Sequence, residues 1–209
     1  MEKTTLIFVR HGETEWNVQG KWQGHLDSPL TEKGLKQTFA MGQRFRNIHC
    51  DQLYSSDLSR AYQTAKPISE VTGQHIITSP DLREKNLGIF EGLTNETMKL
   101  RYPEEYEQFH KFNPDFAVPG SESIQEFYDR SVATIRNLAE KHLHQTTVMV
   151  THGGFLANLF RFIFNLPIEI PRRFAIPNTS LNTISYSAGF WRMESWGDVA
   201  HLEGLSSPV

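Results

Sequence analysis

Two histidines stand in matching local settings at opposite ends of the chain. Arg10-His11-Gly12-Glu13 follows the apolar run Leu6-Ile7-Phe8-Val9, and His152-Gly153-Gly154 follows Thr146-Thr147-Val148-Met149-Val150-Thr151. Arg60 lies about one helical turn beyond a third short segment of strand character, Asp51-Gln52-Leu53-Tyr54-Ser55. Ligands of open α/β sheets bind beyond the carboxyl ends of the strands, so if these strands are neighbours, Arg10, His11, Arg60 and His152 converge on one pocket. Arginine presents a planar fork of donors that matches phosphate oxygens and stays ionised at any working pH. Glycines beside both histidines allow close backbone approach and leave N–H groups for oxyanions. The ligand that fits is a small, highly charged anion, phosphate above all.

The absence of other phosphate-handling motifs narrows the chemistry. There is no Gly-x-x-x-x-Gly-Lys-Ser/Thr loop, Ser56 and not an arginine stands six positions after Cys50, and no Asp-x-Asp pair follows an apolar strand. His49-Cys50-Asp51 and Asp198-x-x-His201 lack partners at ligand spacing, and the arginines near the pocket would repel a cation, so no metal and no cofactor are expected. Histidine remains as the nucleophile: neutral imidazole can take up a phosphoryl group and so divide one displacement into two. Its ordinary pKa of about 6.5 permits this, and flanking cations favour the neutral form further. The leaving alkoxide then needs a proton. Glu13, Glu84 and Glu91 are the candidate donors, and the residues alone do not choose among them.

The elements that must position these groups follow from periodicity. Leu6–Val9 and Thr146–Thr151 read as strands buried on both faces. A Thr31 cap opens a helix over 30–47 with Leu35, Phe39, Met41 and Phe45 as its apolar positions, and Asp57 caps a second helix over 58–71. Ser123 and Glu126 form a capping-box pattern ahead of a helix to about residue 143, lined by Ile124, Phe127, Tyr128, Ile135 and Leu138. Residues 155–166 form a buried helix, and 181–187 with 190–196 flank Ala188-Gly189 as a closing hairpin. This alternation predicts an α/β three-layer sandwich, a mostly parallel sheet with helices on both faces. Residues 93–120, with Pro103, Pro114 and Pro119 among many aromatics, read as a small helical insert over the site. The whole of 1–209 is expected to be one domain, and the tail after Leu205 to be loose.

Composition agrees with a compact enzyme of this kind. The chain has 209 residues, of which 38% are hydrophobic, and 21 basic against 24 acidic residues leave a net charge of -3. No general positive field is available for nucleic acid or an anionic membrane, and no segment suits a signal peptide or a membrane span. The single cysteine excludes an internal disulfide and points to a reducing compartment, the cytoplasm.

Together these segments resemble the histidine phosphatase superfamily, in its phosphoglycerate mutase-like branch. The resemblance rests on Arg10-His11-Gly12-Glu13-Thr14-x-x-Asn17, Ser28-Pro29-Leu30-Thr31-x-x-Gly34, Ser55-x4-Arg60-Ala61-x-x-Thr64-Ala65, Leu82-Arg83-Glu84 with Gly88-x-x-Glu91-Gly92, and Thr151-His152-Gly153-Gly154, in family order. Within the family, the chain is most similar to the small broad-specificity phosphatases of the PhoE type. The resemblance implies His11 as the phosphorylated nucleophile and Glu84 as proton donor and then base. It implies Arg10, Asn17, Arg60 and His152 as the phosphate cradle, with contacts from Gln23, Gly24 and Gly153, and supporting roles for Glu13 and Glu91. Pro119-Gly120-Ser121-Glu122-Ser123 only approximates the family's turn, and Glu122 receives no role.

The expected activity is metal-independent hydrolysis of phosphomonoesters, with small phosphorylated metabolites as partners. Phosphoglycerate mutation, a dedicated metabolite phosphatase such as alpha-ribazole phosphatase, and a silent phosphate-binding domain are the alternatives. Mutases of the family carry clustered basic residues in a longer insert, whereas 93–120 here holds only Lys99, Arg101, His110 and Lys111. Apolar leaving groups are therefore expected to be preferred over ones with a second acid. Tyr102, Tyr106 and Phe109, spaced i, i+4, i+7, read first as packing and only second as a pocket wall.

Overall fold

The computed structural model describes residues 3–204; the predicted loose tail lies outside them. Strands β1 (Thr4–Arg10), β2 (Gln52–Ser56), β3 (Ile76–Ser79), β4 (Thr146–Thr151), β5 (Leu181–Ser187) and β6 (Phe190–Asp198) form one mixed sheet in the order β3-β2-β4-β1-β5-β6. The pairs β3-β2, β2-β4 and β4-β1 are parallel, and β5 and β6 add on antiparallel, as the hairpin reading requires. Ala188 and Gly189 both take left-handed φ, +50° and +83°, the backbone of a two-residue turn that follows the twist of its strands.

The two-residue period of the strands divides the core. Leu6 and Phe8 pack with Met149 against α6 (Ile124–Lys141) and α7 (Gly153–Phe164), through Phe127, Ile135, Phe155 and Leu159. Ile7 and Val9 face the other way with Val148 and Val150, meeting α2 (Glu32–Arg44) and α3 (Ser59–Thr72) through Met41, Phe45, Ala61 and Ile68. Each residue of these strands therefore enters a hydrophobic layer, which explains the unbroken apolar runs. The α2 and α3 helices approach so closely that a Cβ on Gly42 would stand 2.6 Å from Pro67 Cβ.

Two local expectations require correction. Leu35 and Phe39 do not face the core: they are 52% and 64% exposed, while Met41 of the same helix and Phe45 of the 3-10 turn that follows it are buried. Asp57 does not cap α3, because Arg83 takes its carboxylate through Nε and Nη2 at 2.7 and 2.5 Å. The cap comes from outside the segment, where Asp27 Oδ2 accepts from Ser59 N at 2.7 Å. Strand β3 and the short helix α1 (Glu15–Val18) were not anticipated. The Thr31 cap and the Ser123–Glu126 capping box are present. Residues 93–120 contain α4 (Asn95–Arg101) and α5 (Pro103–Phe109), which cover a satellite core of Leu87, Phe90, Met98 and Val118. Among the described residues, no helix is long and apolar enough to cross a membrane.

Candidate active site

Register places the two histidines side by side. Arg10 of β1 pairs with Thr151 of β4, so the next residues, His11 and His152, leave adjacent strand ends, and their rings lie 5.2 Å apart. Arg60 enters from the first turn of α3, beyond the end of the next strand, β2. Glu84 follows β3 and a 3-10 turn, Pro80–Leu82, that Thr151 Oγ1 holds by donating to Leu82 O at 2.8 Å. A cavity of about 700 Å³ is lined by Arg10, His11, Asn17, Gln23, Gly24, Arg60, Glu84, Gly153 and Gly154. A larger depression, about 920 Å³, lies against α2 around Leu35, Phe39 and His201 and contains none of the predicted residues.

The His11 ring is 3% exposed, and its Nδ1 lies 2.8 Å from Gly12 O. A carbonyl only accepts, so Nδ1 carries the proton and Nε2 keeps its lone pair. Burial, reinforced by Arg60 and Arg10, holds the His11 pKa well below the ordinary imidazole value. His152 is shifted the same way by burial and by Arg60, His11 and Arg10. It is completely buried and contacts the His11 ring without forming part of the cavity lining, and neither of its ring nitrogens has a protein partner. Burial also lowers Arg10 to about 10, which leaves it ionised at neutral pH.

Arg60 is 1% exposed. Its Nη1 donates to Leu26 O at 2.7 Å and to Asp27 Oδ1 at 2.9 Å, and its Nη2 donates to Gly24 O at 2.8 Å, so the 24–27 loop orients the guanidinium. That loop is pinned by Glu91, which accepts from His25 N and Leu26 N and also from Leu87 N. A side chain at Gly24, whose φ is +55°, would collide with the Glu91 carboxylate. Asn17 closes the capping box of α1 with Thr14, and Gln23 Oε1 is buried without a protein partner.

The geometry separates the three candidate acids. Glu84 alone lines the cavity with His11; its Oε1 accepts from Lys85 N and its Oε2 from Gly154 N, both at 2.9 Å. Glu13 is turned to Thr31 and Lys33, and Glu91 is consumed by the loop it pins. Glu122 pairs with Arg130, which also donates to Glu84 O. No cluster of three metal-ligating side chains occurs among the described residues: His49 bonds Asp51, and Asp198 pairs with Arg44.

Sequence reasoning missed most of the rim. Trp16, Trp22, Phe112 and Phe127 line the cavity along with Phe109, whose ring also packs edge-on against Phe90 and Trp22. The insert's basic residues, Lys99, Arg101, His110 and Lys111, are absent from the wall, yet Lys21, Lys85 and Arg172 from other segments are on it. The insert thus offers a second anionic group no cation, as expected, but counting charges in that one segment could not reveal the cations that three others bring to the wall.

The histidine phosphatase superfamily (branch 1) model matches residues 6–199. The chain is 37% identical over 203 residues to phosphoglycerate mutase-like protein 4 of Arabidopsis thaliana, covering 95% of this chain and 86% of that one. It is 35% identical over 207 residues to a metal-independent phosphoserine phosphatase of the same plant, covering 98% and 85%. The structure of Bacillus stearothermophilus YhfR superposes with a TM-score of 0.87 at 30% identity, covering 95% of this chain and 99% of that one. With a match across nearly all of the chain, a shared fold and a histidine-arginine pocket at its strand ends, this chain belongs to the histidine phosphatase superfamily and is an enzyme of the phosphatase type.

Proposed function

We propose that the enzyme hydrolyses phosphomonoesters without a metal, through a phosphohistidine at His11. The observation that carries this reading is the His11 ring itself. It is kept neutral by burial, with Nδ1–H committed to Gly12 O and Nε2 left with its lone pair, in a cavity shared with the Glu84 carboxyl group and two arginines. In the first half-reaction, Nε2 attacks phosphorus, the ester P–O bond breaks, and the Glu84 carboxyl group protonates the departing oxygen. In the second, the Glu84 carboxylate takes a proton from water as that water attacks phosphorus. The P–N bond then breaks, and neutral His11 and inorganic phosphate are released. Arg10 and Arg60 balance the charge on the equatorial oxygens, Asn17, Gln23, Gly24 and Gly153 complete the cradle, and His152 supports the His11 ring from behind the wall.

The aromatic rim suits leaving groups of several shapes, which supports broad specificity. The phosphoserine phosphatase relative adds weight to hydrolysis. Phosphoglycerate mutation is the second reading, supported by Lys21, Lys85 and Arg172 on the wall, any of which could hold a second acidic group. The deciding experiment is turnover of p-nitrophenyl phosphate in EDTA, with acid quench to trap phosphoenzyme. An acid-labile, base-stable label in the parent that is absent from His11→Ala is the expected result. Label retained in His11→Ala, or activity restored only by a metal, overturns the proposal, and conversion of 3-phosphoglycerate to its 2-isomer establishes the mutase reading.

A further inference from the structure

The carbonyl of His11 is gripped by Asn178 and Thr179, neither of which lines the cavity. Asn178 Nδ2 donates to His11 O at 2.9 Å and reaches Asn17 Oδ1 at 3.4 Å. A backbone carbonyl only accepts, so the amide nitrogen must be the group that faces it. Thr179 N donates to Arg10 O at 3.0 Å, with His11 O 3.4 Å away. On the same side Arg10 N donates to Ser180 O at 3.3 Å, and on the β4 side His11 N donates to Thr151 O at 3.0 Å.

Thr179 holds this position in an unfavourable conformation. It is completely buried, and its φ is +56°, a left-handed backbone that β-branched residues seldom adopt. The Thr179 hydroxyl lies 3.2 Å from His201 Nε2, on the 3-10 turn Ala200–Leu202 that sits against the outer face of α2. A right-handed φ would swing the N–H away from both carbonyls. Strain of this kind persists where surrounding contacts over-determine it, and it clusters where geometry matters to function.

We infer that Asn178 and Thr179 are positioning residues for the nucleophile. They fix the Arg10-His11 backbone, and with it the line along which His11 Nε2 meets phosphorus. Asn178 couples that backbone to Asn17 in the cradle, so nucleophile and bound phosphate move as one unit. Neither residue touches the reacting atoms. The inference rests on His11 being the phosphoryl acceptor.

The test is Asn178→Asp, which keeps the size of the side chain but sets a carboxylate against two acceptor oxygens, with Asn178→Ala as the second variant should Asp fail to fold. A misplacement of about 1 Å predicts a fall in kcat of about 10- to 100-fold, with KM within about threefold of the parent. The loss should be equal for p-nitrophenyl phosphate and an alkyl phosphate, because the nucleophile and not the leaving group is disturbed. The ring 15N signals of His11, a single Nδ1–H tautomer in the parent, should shift toward a mixture. Thr179→Asn, which tolerates left-handed backbone, should stay within about threefold of the parent. Unchanged kcat in a folded Asn178 variant, a rise in KM alone, or collapse of Thr179→Asn overturns the inference. Turnover surviving in His11→Ala overturns instead the function on which it rests.

Discussion

Replacing Gly154 with alanine directs one methyl group at the Glu84 carboxyl. The new Cβ would stand 3.0 Å from Phe127 Cε1 and 3.1 Å from Glu84 Cδ, and well inside contact with Oε1. Phe127 is buried in the core, so the free end of Glu84 gives way and loses its 2.9 Å bond from Gly154 N. Alanine is the better helix former by about 1 kcal/mol, which offsets a lost hydrogen bond of about the same size, so Tm should hardly change. Displacing a general acid by about 1 Å should cost about 100-fold in kcat/KM for an alkyl phosphate, about 2.7 kcal/mol of barrier. p-Nitrophenyl phosphate, whose leaving group needs less protonation, should stay within about fivefold in kcat/KM. In the proposed mechanism the same carboxylate activates water in the second half-reaction, so this substrate should now give a p-nitrophenol burst and accumulate phosphoenzyme. The assay is stopped-flow release of p-nitrophenol beside steady-state phosphate release from the alkyl ester. Equal losses for both esters, or none for either, would refute Glu84 as the acid.

Asp27→Ala removes both the cap of α3 and the carboxylate beside buried Arg60, and should lower stability by about 2–3 kcal/mol and raise KM, measured by urea unfolding and steady-state kinetics. Stability should also fall with acidity. Above about pH 6.5 His11 and His152 are neutral whether the chain is folded or not. Below it only the unfolded chain takes up their protons, so about 1.4 kcal/mol is lost per pH unit for each histidine until the depressed folded pKa is reached. Urea titrations between pH 7 and 5 should show a slope shallower by one proton in His152→Gln, and an unchanged slope would contradict the buried-neutral state. Arg172→Met should lower kcat/KM for 3-phosphoglycerate by about tenfold while sparing p-nitrophenyl phosphate, as expected for a lost charge-assisted contact; equal losses would place Arg172 on the phosphoryl group.

The fold was legible wherever one segment carries its own signal. Leu6–Val9 and Val148–Val150 fill two layers at once, so their unbroken apolar runs could only be central strands. The caps at Thr31 and Ser123 are contained within four residues, and both are found. Reasoning failed where the partner is remote. Asp57 sits where a cap should be, but Arg83 offers it two charge-assisted bonds, and Asp27, 32 positions from Ser59, caps the helix in its place. Leu35 and Phe39 lie on an exposed face of α2, away from the one that Met41 buries, and periodicity does not specify which apolar stripe meets the sheet.

The site divides along the same line. His11 and His152 follow residues paired in register, so a shift of either strand would break both the pocket and the two-sided packing of the core. Residue type and position after a strand therefore carried real information about them. Residue type alone left Glu84 level with Glu13 and Glu91; the family resemblance favoured it, and in the structure the other two are spent on the 31–33 and 24–27 segments. The rim obeys no such constraint. Trp22, Phe109, Lys85 and Arg172 arrive on four different segments, and none is tied to a strand register. Two chains can consequently share the phosphate chemistry and differ in what they hydrolyse. Here Arg172 sits on a loop anchored at both ends by arginine-to-carbonyl bonds, Arg161 to Ile170 O and Arg10 to Ile176 O. Since Arg10 holds that loop and also lines the phosphate pocket, replacing Arg10 should disturb substrate selection as well as rate, whereas replacing Arg172 should disturb selection alone.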